Sequence, residues 1–344
     1  MKKIISALHD HATFIAQHRA IENENSVLTY RQLLTTVERV AAQLKMHSPQ
    51  VIAIFAASGI AYVVADLAAM SLGVPVVALP TNLSRPHLLD ILRKTHVDCL
   101  LTDRPDDVGK LGVDFANAPV LTASELFLVA FFADTQTPAT LPFGTAKVVV
   151  DARNTCETKN ICIGRAELES AAESMLGVAA SIQGDRHLCL SPLTTSYENI
   201  GGVYTTILAG ATICIAQPAA MGIAGESVHV EQLAASLDAW CATSVLTTPA
   251  LLRLLVAAAR RGVSVPRTIR YVSVAGSFPP ALLMAADHEG IPVYEGRAIV
   301  EQNAVVSINR AMSWRHRVGG KRLPRGALSP CDDAQRPFRT NRGG

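Results

Sequence analysis

The chain has 344 residues, 49% of them hydrophobic and 17% charged, with a formal net charge of +2. This is enough chain for two or three packed layers or sub-domains, and the composition excludes a disordered or low-complexity protein. A charge so close to neutral singles out no class of partner.

Seven cysteines (99, 156, 162, 189, 214, 241 and 331) stand singly, mostly in apolar runs, with no CxxC pair. They predict reduced, buried thiols in a cytoplasmic protein, not a disulfide framework or a zinc site. The N-terminus, MKKIISALHDHATF, has too short an apolar run for a secretory signal. The most membrane-like stretch, Val51–Leu79, is broken by Gly59, Asp66, Gly73 and Pro75, so it reads as strand–helix–strand and not as a span.

In chain order, residues 1–25 carry a helical pattern of Ile4, Ile5, Leu8, Ala12 and Ile15, ending in the polar run 22–26. Val27–Tyr30 is a short strand, and Thr29 is placed to cap a helix over 30–45. That helix would bury Leu33, Leu34, Val37, Val40, Ala41 and Leu44. The apolar runs 51–56 and 74–79 flank a helix over 60–72, a βαβ unit with a parallel sheet. A helix over 85–95 and a strand over 99–102 follow. The proline-bearing segment 104–145 holds one apolar helix, 124–132, and connects sub-domains.

The central stretch, 148–168, reads as a buried strand (Val148–Val150), a polar loop and a helix from about Arg165. A strand, loop and helix is where α/β proteins offer unpaired N–H groups to phosphate. The helix runs to 180, with Glu167, Glu169 and Glu173 in its early part, where they suit the dipole. A strand over 187–191 leads into PLTTSYENIGGVYTTILAG, a helix ending at Gly210, and then a strand over 211–216. Helices over 230–239, 249–261 and 280–289 alternate with strands over 244–247 and 271–275. Beyond Trp314 the pattern fades.

Several of these segments resemble the adenylate-forming (AMP-binding, acyl-CoA synthetase) enzymes. The central loop resembles the family's T-S-G-S-T-G-x-P-K-G pattern, with Thr155 on its second Thr and Lys159 on its Lys. VYEGRAIVEQNAVVS resembles E-G-Y-G-x-T-E-x-x-x-V-V-S, with Glu295, Gly296, Glu301, Val305, Val306 and Ser307 in one ungapped register. Weaker matches run from 27 to 324 in consistent order.

The resemblance implies an α/β fold of two layered βαβ sub-domains, 1–146 and 147–324, followed by a disordered tail over 325–344. It implies ATP-dependent activation of a fatty or aryl carboxylic acid, first to acyl-AMP and then to acyl-CoA, as in fatty acid metabolism. Thr155 and Lys159 would contact phosphate, and Glu301 would hold Mg²⁺. Gly276, Ser277, Gly296, Arg297 and Ala298 would face adenine. Thr194, Thr195, Ser196 and Tyr197 would line the acyl pocket; the same residue types fit an ordinary capped helix start equally well.

The loop departs from the pattern. Arg153, Cys156 and Asn160 stand on glycine positions, Thr158 on the proline, and Asp151 and Glu157 add negative charge. A side chain forced into a glycine conformation loses about 1–2 kcal/mol and adds bulk where phosphate should lie. Arg297-Ala298 replaces an adenine-facing Tyr-Gly pair. The family's barrel part, its Y-x-T-G-D aspartate and its lysine-bearing C-terminal domain are unmatched. A truncated, catalytically impaired copy is therefore expected, with a separate chain as one source of the missing domain. A non-catalytic pseudoenzyme, an acyl-binding remnant and a family-like ligase stay open. The basic tail lacks the interleaved aromatics that nucleic-acid stacking uses, which favours a solvated segment over a nucleic-acid site.

Overall fold

The computed structural model describes residues 2–109, 120–121, 126–130, 141–151, 159–179, 181–225, 227–275, 279–299, 304–310 and 321–322. Two sheets organise them. The seven-stranded sheet has four parallel strands at its centre, in the order Cys99–Thr102, Ile52–Phe55, Val76–Ala78, Thr145–Asp151. Antiparallel strands close both edges: Leu126–Ala130 with Val120–Leu121 on one side, Lys159–Gly164 on the other.

The nine-stranded sheet holds six parallel strands in the order Val293–Ile299, Tyr271–Ala275, Ser244–Thr247, Arg186–Leu188, Thr212–Cys214, Arg19–Glu22. Val27–Thr29 pairs antiparallel at one edge. Ala304–Arg310 and then Lys321–Arg322 do so at the other. Both sheets draw strands from either side of residue 146. The α/β architecture resembles the N-terminal domain of adenylate-forming enzymes, as expected, and no closed barrel is found among the described residues.

Local chemistry explains several element boundaries. The helix Tyr30–Met46 opens with a capping box: Gln32 N–H donates to Thr29 Oγ1 (3.3 Å) and Thr29 N–H to Gln32 Oε1 (2.9 Å). This satisfies two donors that the first turn leaves free. The buried face is Tyr30, Leu33, Val37, Val40, Ala41 and Leu44. Leu34 is only half-buried, whereas Tyr30 is sealed and donates its hydroxyl to Ala211 O at 2.7 Å.

The helix Ile60–Leu72 is buried along Tyr62–Met70, as an almost wholly apolar helix must be. It ends at Gly73 in the left-handed region (φ 73°), where a Cβ would sit 2.8 Å from Arg165 Nη2. Arg165 also donates to the Gly73 carbonyl.

Three expectations need correction. The expected helix over 124–132 contains the strand Leu126–Ala130, antiparallel to Cys99–Thr102. Its run LFLVA is short and apolar, where periodicity cannot separate helix from strand, and an open sheet edge decided the matter. The central stretch is not strand–loop–helix either. Lys159–Gly164 returns as a strand against Thr145–Asp151, so the helix Arg165–Ala179 follows a strand in sequence.

The expectation of reduced, buried thiols holds at Cys99, Cys189 and Cys214; Cys241 is free but exposed. It fails at Cys162, which is disulfide-bonded. One further element, the strand Arg19–Glu22, was not foreseen. Its two apolar residues give no periodicity, and its pairing with Thr212–Cys214 is a long-range choice.

Candidate functional site

In the nine-stranded sheet the parallel strands bring Thr247, Ala275 and Gly296 to one edge. Thr247 pairs with Val274, and Ala275 with Gly296. This carboxyl edge is where open parallel sheets place ligands. Gly276 and Ser277 directly follow Ala275 in sequence but lie outside the described residues, as do Thr155, Glu301 and the tail. Gly296, Arg297 and Ala298 fall on the strand Val293–Ile299. Lys159 opens the returning strand of the 145–164 hairpin, exposed and in register with Asp151.

The segment expected to line the acyl pocket follows the strand Arg186–Leu188. Thr195 caps the short helix Ser196–Glu198, accepting from Glu198 N–H at 3.4 Å, and its hydroxyl donates to Pro192 O at 2.8 Å. Ser196 is buried, Thr194 and Tyr197 are half-buried, and Thr195 is exposed. Tyr197 Oη meets Ser273 Oγ at 2.5 Å, joining this segment to the strand that leads to Gly276. Leu193 N–H donates to Ser58 Oγ at 3.0 Å, which ties in the loop after Ile52–Phe55. Thr195 thus does act as a cap, while Tyr197 faces the central strands.

After Glu198 the chain takes one widened helical stretch, Asn199–Tyr204, with π-type bonding, before the regular turn Thr205–Ala209 and a left-handed stop at Gly210 (φ 70°). Such stretches are rare and often accompany functional sites. Two buried polar clusters lie against this one, and the sequence reading anticipated neither.

The first joins Lys147, Asp66, Asn199 and Tyr204. Lys147 Nζ lies 2.8 Å from both Asp66 carboxylate oxygens, 2.5 Å from Asn199 Oδ1 and 2.7 Å from Tyr204 Oη. Asn199 Nδ2 and Tyr204 Oη also donate to Asp66 Oδ2, at 3.0 and 2.7 Å. Burial lowers the lysine pKa, and the Asp66 charge partly offsets that shift. Burial raises the Tyr204 hydroxyl, with Asp66 adding to it. The cluster pins together a helix, a sheet strand and the π-type stretch.

The second cluster joins His187, Glu198, Ser244 and Cys189. His187 Nε2 is 2.9 Å from Glu198 Oε1, and its Nδ1 is 3.0 Å from Ser244 Oγ. Ser191 N–H donates to Glu198 Oε2 at 3.0 Å. Burial first, and then Glu198, push the Cys189 thiol well above its usual range. Gly202 backs this group: a Cβ there would lie 2.5 Å from Glu198 Oε1 and 2.7 Å from His187 Nε2. The signal for both clusters was present as lone polar residues in apolar runs: Asp66 in YVVADLAAM, Lys147 in TAKVVV, His187 in RHLCL.

A cavity of about 10 Å³, room for one water, lies beside His187, Gly201, Thr205 and Ser244. A wider groove of about 470 Å³ runs between Gly262–Ile269 and Glu289–Pro292, at the sheet's amino edge and so opposite the candidate site. Thr194–Tyr197 line neither of them.

The architecture is that of the N-terminal domain of the adenylate-forming enzymes. Within it, residues 8–160 match the family model described as AMP-binding enzyme, which confirms the resemblance read from the motifs. No curated protein sequence matches the chain.

Among solved structures, the o-succinylbenzoate coenzyme A synthetase MenE from Bacillus subtilis, in complex with ATP and magnesium ion, superposes with a TM-score of 0.72 at 20% identity. That match covers 92% of this chain and 65% of the MenE chain. The inhibitor-bound N-terminal domain of FACL13 from Mycobacterium tuberculosis gives 0.71 at 16% identity, covering 91% and 80%. VinN gives 0.74 at 19%, covering 95% and 85%. The chain spans less than two thirds of the length of the MenE chains, 64% in the AMP complex. Among the described residues no helix is long and apolar enough to cross a membrane.

Proposed function

We propose that the chain handles a carboxylic acid, fatty or aryl, on an adenylate-forming scaffold whose nucleotide step is impaired. The observation that carries this reading is the contrast at the 145–164 hairpin. Its strands pair antiparallel, from Lys147 opposite Ile163 to Asp151 opposite Lys159, while Arg153, Cys156 and Asn160 stand on the glycine positions of the family's phosphate loop. A backbone cradle for phosphate depends on conformations that glycine adopts freely. Side-chain cations such as Arg153 do not replace N–H groups aimed at the phosphate.

Where ATP and Mg²⁺ bind at all, Thr155 and Lys159 are the proposed phosphate contacts, Glu301 the proposed metal ligand, and Gly276, Ser277 and Gly296–Ala298 the adenine side. CoA is the proposed acceptor and the cytoplasm the proposed compartment. Thr194, Ser196 and Tyr197 are the proposed acid-facing segment, supported by the link from Tyr197 to Ser273.

Losing one preorganised donor for developing charge typically removes about 10²–10³ in rate. Several such losses predict no acid-dependent exchange of labelled pyrophosphate into ATP, with Mg²⁺ present, over a panel of fatty and aryl acids. Exchange that vanishes in Lys159→Ala and Glu301→Ala would overturn the impairment. Calorimetry with the same acids tests the other half. Binding with a negative heat-capacity change is expected, and failure of every acid would remove the substrate class.

A further inference from the structure

The cluster at His187, Cys189 and Glu198 brings three side chains of metal-ligating type together in the buried interior. Glu198 is fully buried, and His187 and Cys189 are nearly so, at 3% and 4% exposure. Among the described residues the only ion-pair partner of Glu198 is the imidazole of His187, with a backbone N–H on the second oxygen. A carboxylate removed from water needs a positive partner or ordered donors on both oxygens.

His187 lies on the strand Arg186–Leu188 and Cys189 directly follows it, two residues on in extended chain. The short helix that Thr195 caps delivers Glu198. One ligand atom from each, Nε2, Sγ and a carboxylate oxygen, all lie within 4.8 Å of one another. The other imidazole nitrogen is held by Ser244 Oγ at 3.0 Å, the kind of partner that orients a metal-bound histidine. Gly202 packs against both Nε2 and Oε1, where an added Cβ would lie 2.7 and 2.5 Å away.

We propose that His187, Cys189 and Glu198 form a site for a divalent, borderline-soft cation, zinc first among them, independent of the Mg²⁺ expected with ATP. Nitrogen, thiolate and carboxylate donors are the set zinc accepts, at about 2.0–2.3 Å each. Ligand atoms around a tetrahedral zinc stand roughly 3.3–3.8 Å apart, so side-chain shifts of about 1 Å close the site. On binding, the Cys189 S–H bond breaks, its proton leaves to solvent and the sulfur lone pair forms the metal bond. The cation then takes the place of the hydrogen bond between His187 and Glu198 as the link between the two side chains. Three protein ligands leave a fourth position for water or another small donor.

The test uses the full chain, stripped with chelator and titrated with Co²⁺ alone. One Co²⁺ per chain is expected, with a thiolate-to-metal charge-transfer band and tetrahedral visible bands that Zn²⁺ abolishes. Cys189→Ser should lose the charge-transfer band, and Ser244→Ala should weaken binding about ten- to a hundredfold. Cys241→Ser, at an exposed thiol, should change nothing. Should Cys189→Ser fail to fold, the unchanged chain still decides: Zn²⁺ should raise its unfolding temperature, reversibly with chelator. No thiolate band at saturating Co²⁺, a band that survives Cys189→Ser, or no thermal shift with Zn²⁺ would each overturn the site.

Discussion

Asp66 and Glu198 are both buried carboxylates beside the same π-type stretch, yet they are neutralised in different ways. Asp66 faces a lysine, an amide and a phenol, with Lys147 2.8 Å from both oxygens. Glu198 has one imidazole and one backbone N–H, and the Cys189 thiol bonds to it as well. The first is a network of three donors on Asp66, led by a lysine that bonds Asn199 and Tyr204 as well. The second has an imidazole and no lysine or arginine among its described partners. A closed ion pair fixes how elements pack and brings little net stability, because desolvation offsets the attraction. A histidine, a thiol and a carboxylate held within reach of one another form a donor set that a metal can use.

The sharpest way to break this contrast is to remove the cation from the closed cluster. Lys147→Met should destabilise the chain by about 3–5 kcal/mol, because it leaves Asp66 buried and uncompensated. Urea unfolding measures the loss. The pair Lys147→Met with Asp66→Leu should recover much of it, and full additivity of the two would refute the closed-network reading.

Smaller effects should come from crowding the second cluster. Gly202→Ala places a Cβ 2.5 Å from Glu198 Oε1 and 2.7 Å from His187 Nε2, and overpacking of this kind costs about 1–3 kcal/mol. Gly201→Ala meets the flexible end of Met175 at 2.4 Å and Leu246 Cδ1 at 2.8 Å, so its loss should be the lesser of the two. A harmless Gly202→Ala would mean that the Glu198–His187 contact is loose.

Removing only the charge should matter less still. Glu198→Gln keeps the shape and an acceptor for Ser191 N–H, so it should shift stability by no more than about 0.5–1.5 kcal/mol, the net worth of an ordinary hydrogen bond. The asymmetry with Lys147→Met is the measurement. Equal losses would show the two carboxylates to be equivalently held.

The layers were readable because their signals are local. Thr29 with Gln32 marks a helix start, Ile60–Leu72 is a helix-length apolar run bounded by Gly59 and Gly73, and VLT, VVA and SVLT are short β-branched runs. What escaped depended on distant partners. Arg19–Glu22 is a strand only because Thr212–Cys214 lies beside it, and Lys159–Gly164 only because Thr145–Asp151 offers an edge. The buried clusters escaped for the same reason. Lys147 and Asp66 are 81 positions apart, and each alone reads as an interruption, so only the fold shows them to be a pair. The proposed site was readable in the sequence only as a family pattern, which reaches from Tyr197 to Gly296. Its buried neighbours carry no motif.

The smallest expected effect is on the slope of stability with pH, and it concerns Cys189. Burial and the nearby Glu198 raise its folded pKa well above the ordinary 9.0. In the unfolded chain the thiol would lose its proton near that value, while the folded chain keeps it. Above about pH 9 the unfolded state therefore binds fewer protons than the folded state, and stability must fall as pH rises. Below that pH the group contributes no slope. Lys147 acts in the opposite sense: its lowered folded pKa makes stability rise as pH climbs toward 10.5. Comparing variants separates the two. Cys189→Ala should flatten the alkaline decline relative to the unchanged chain, whatever it does to stability at neutral pH, because only the slope reports the proton. Metal-free protein must be used, since a bound cation would hold the thiolate and erase the difference. An alkaline slope identical in Cys189→Ala and the parent would mean that the thiol is not held protonated in the folded chain, and the low-dielectric picture of the second cluster would fail with it.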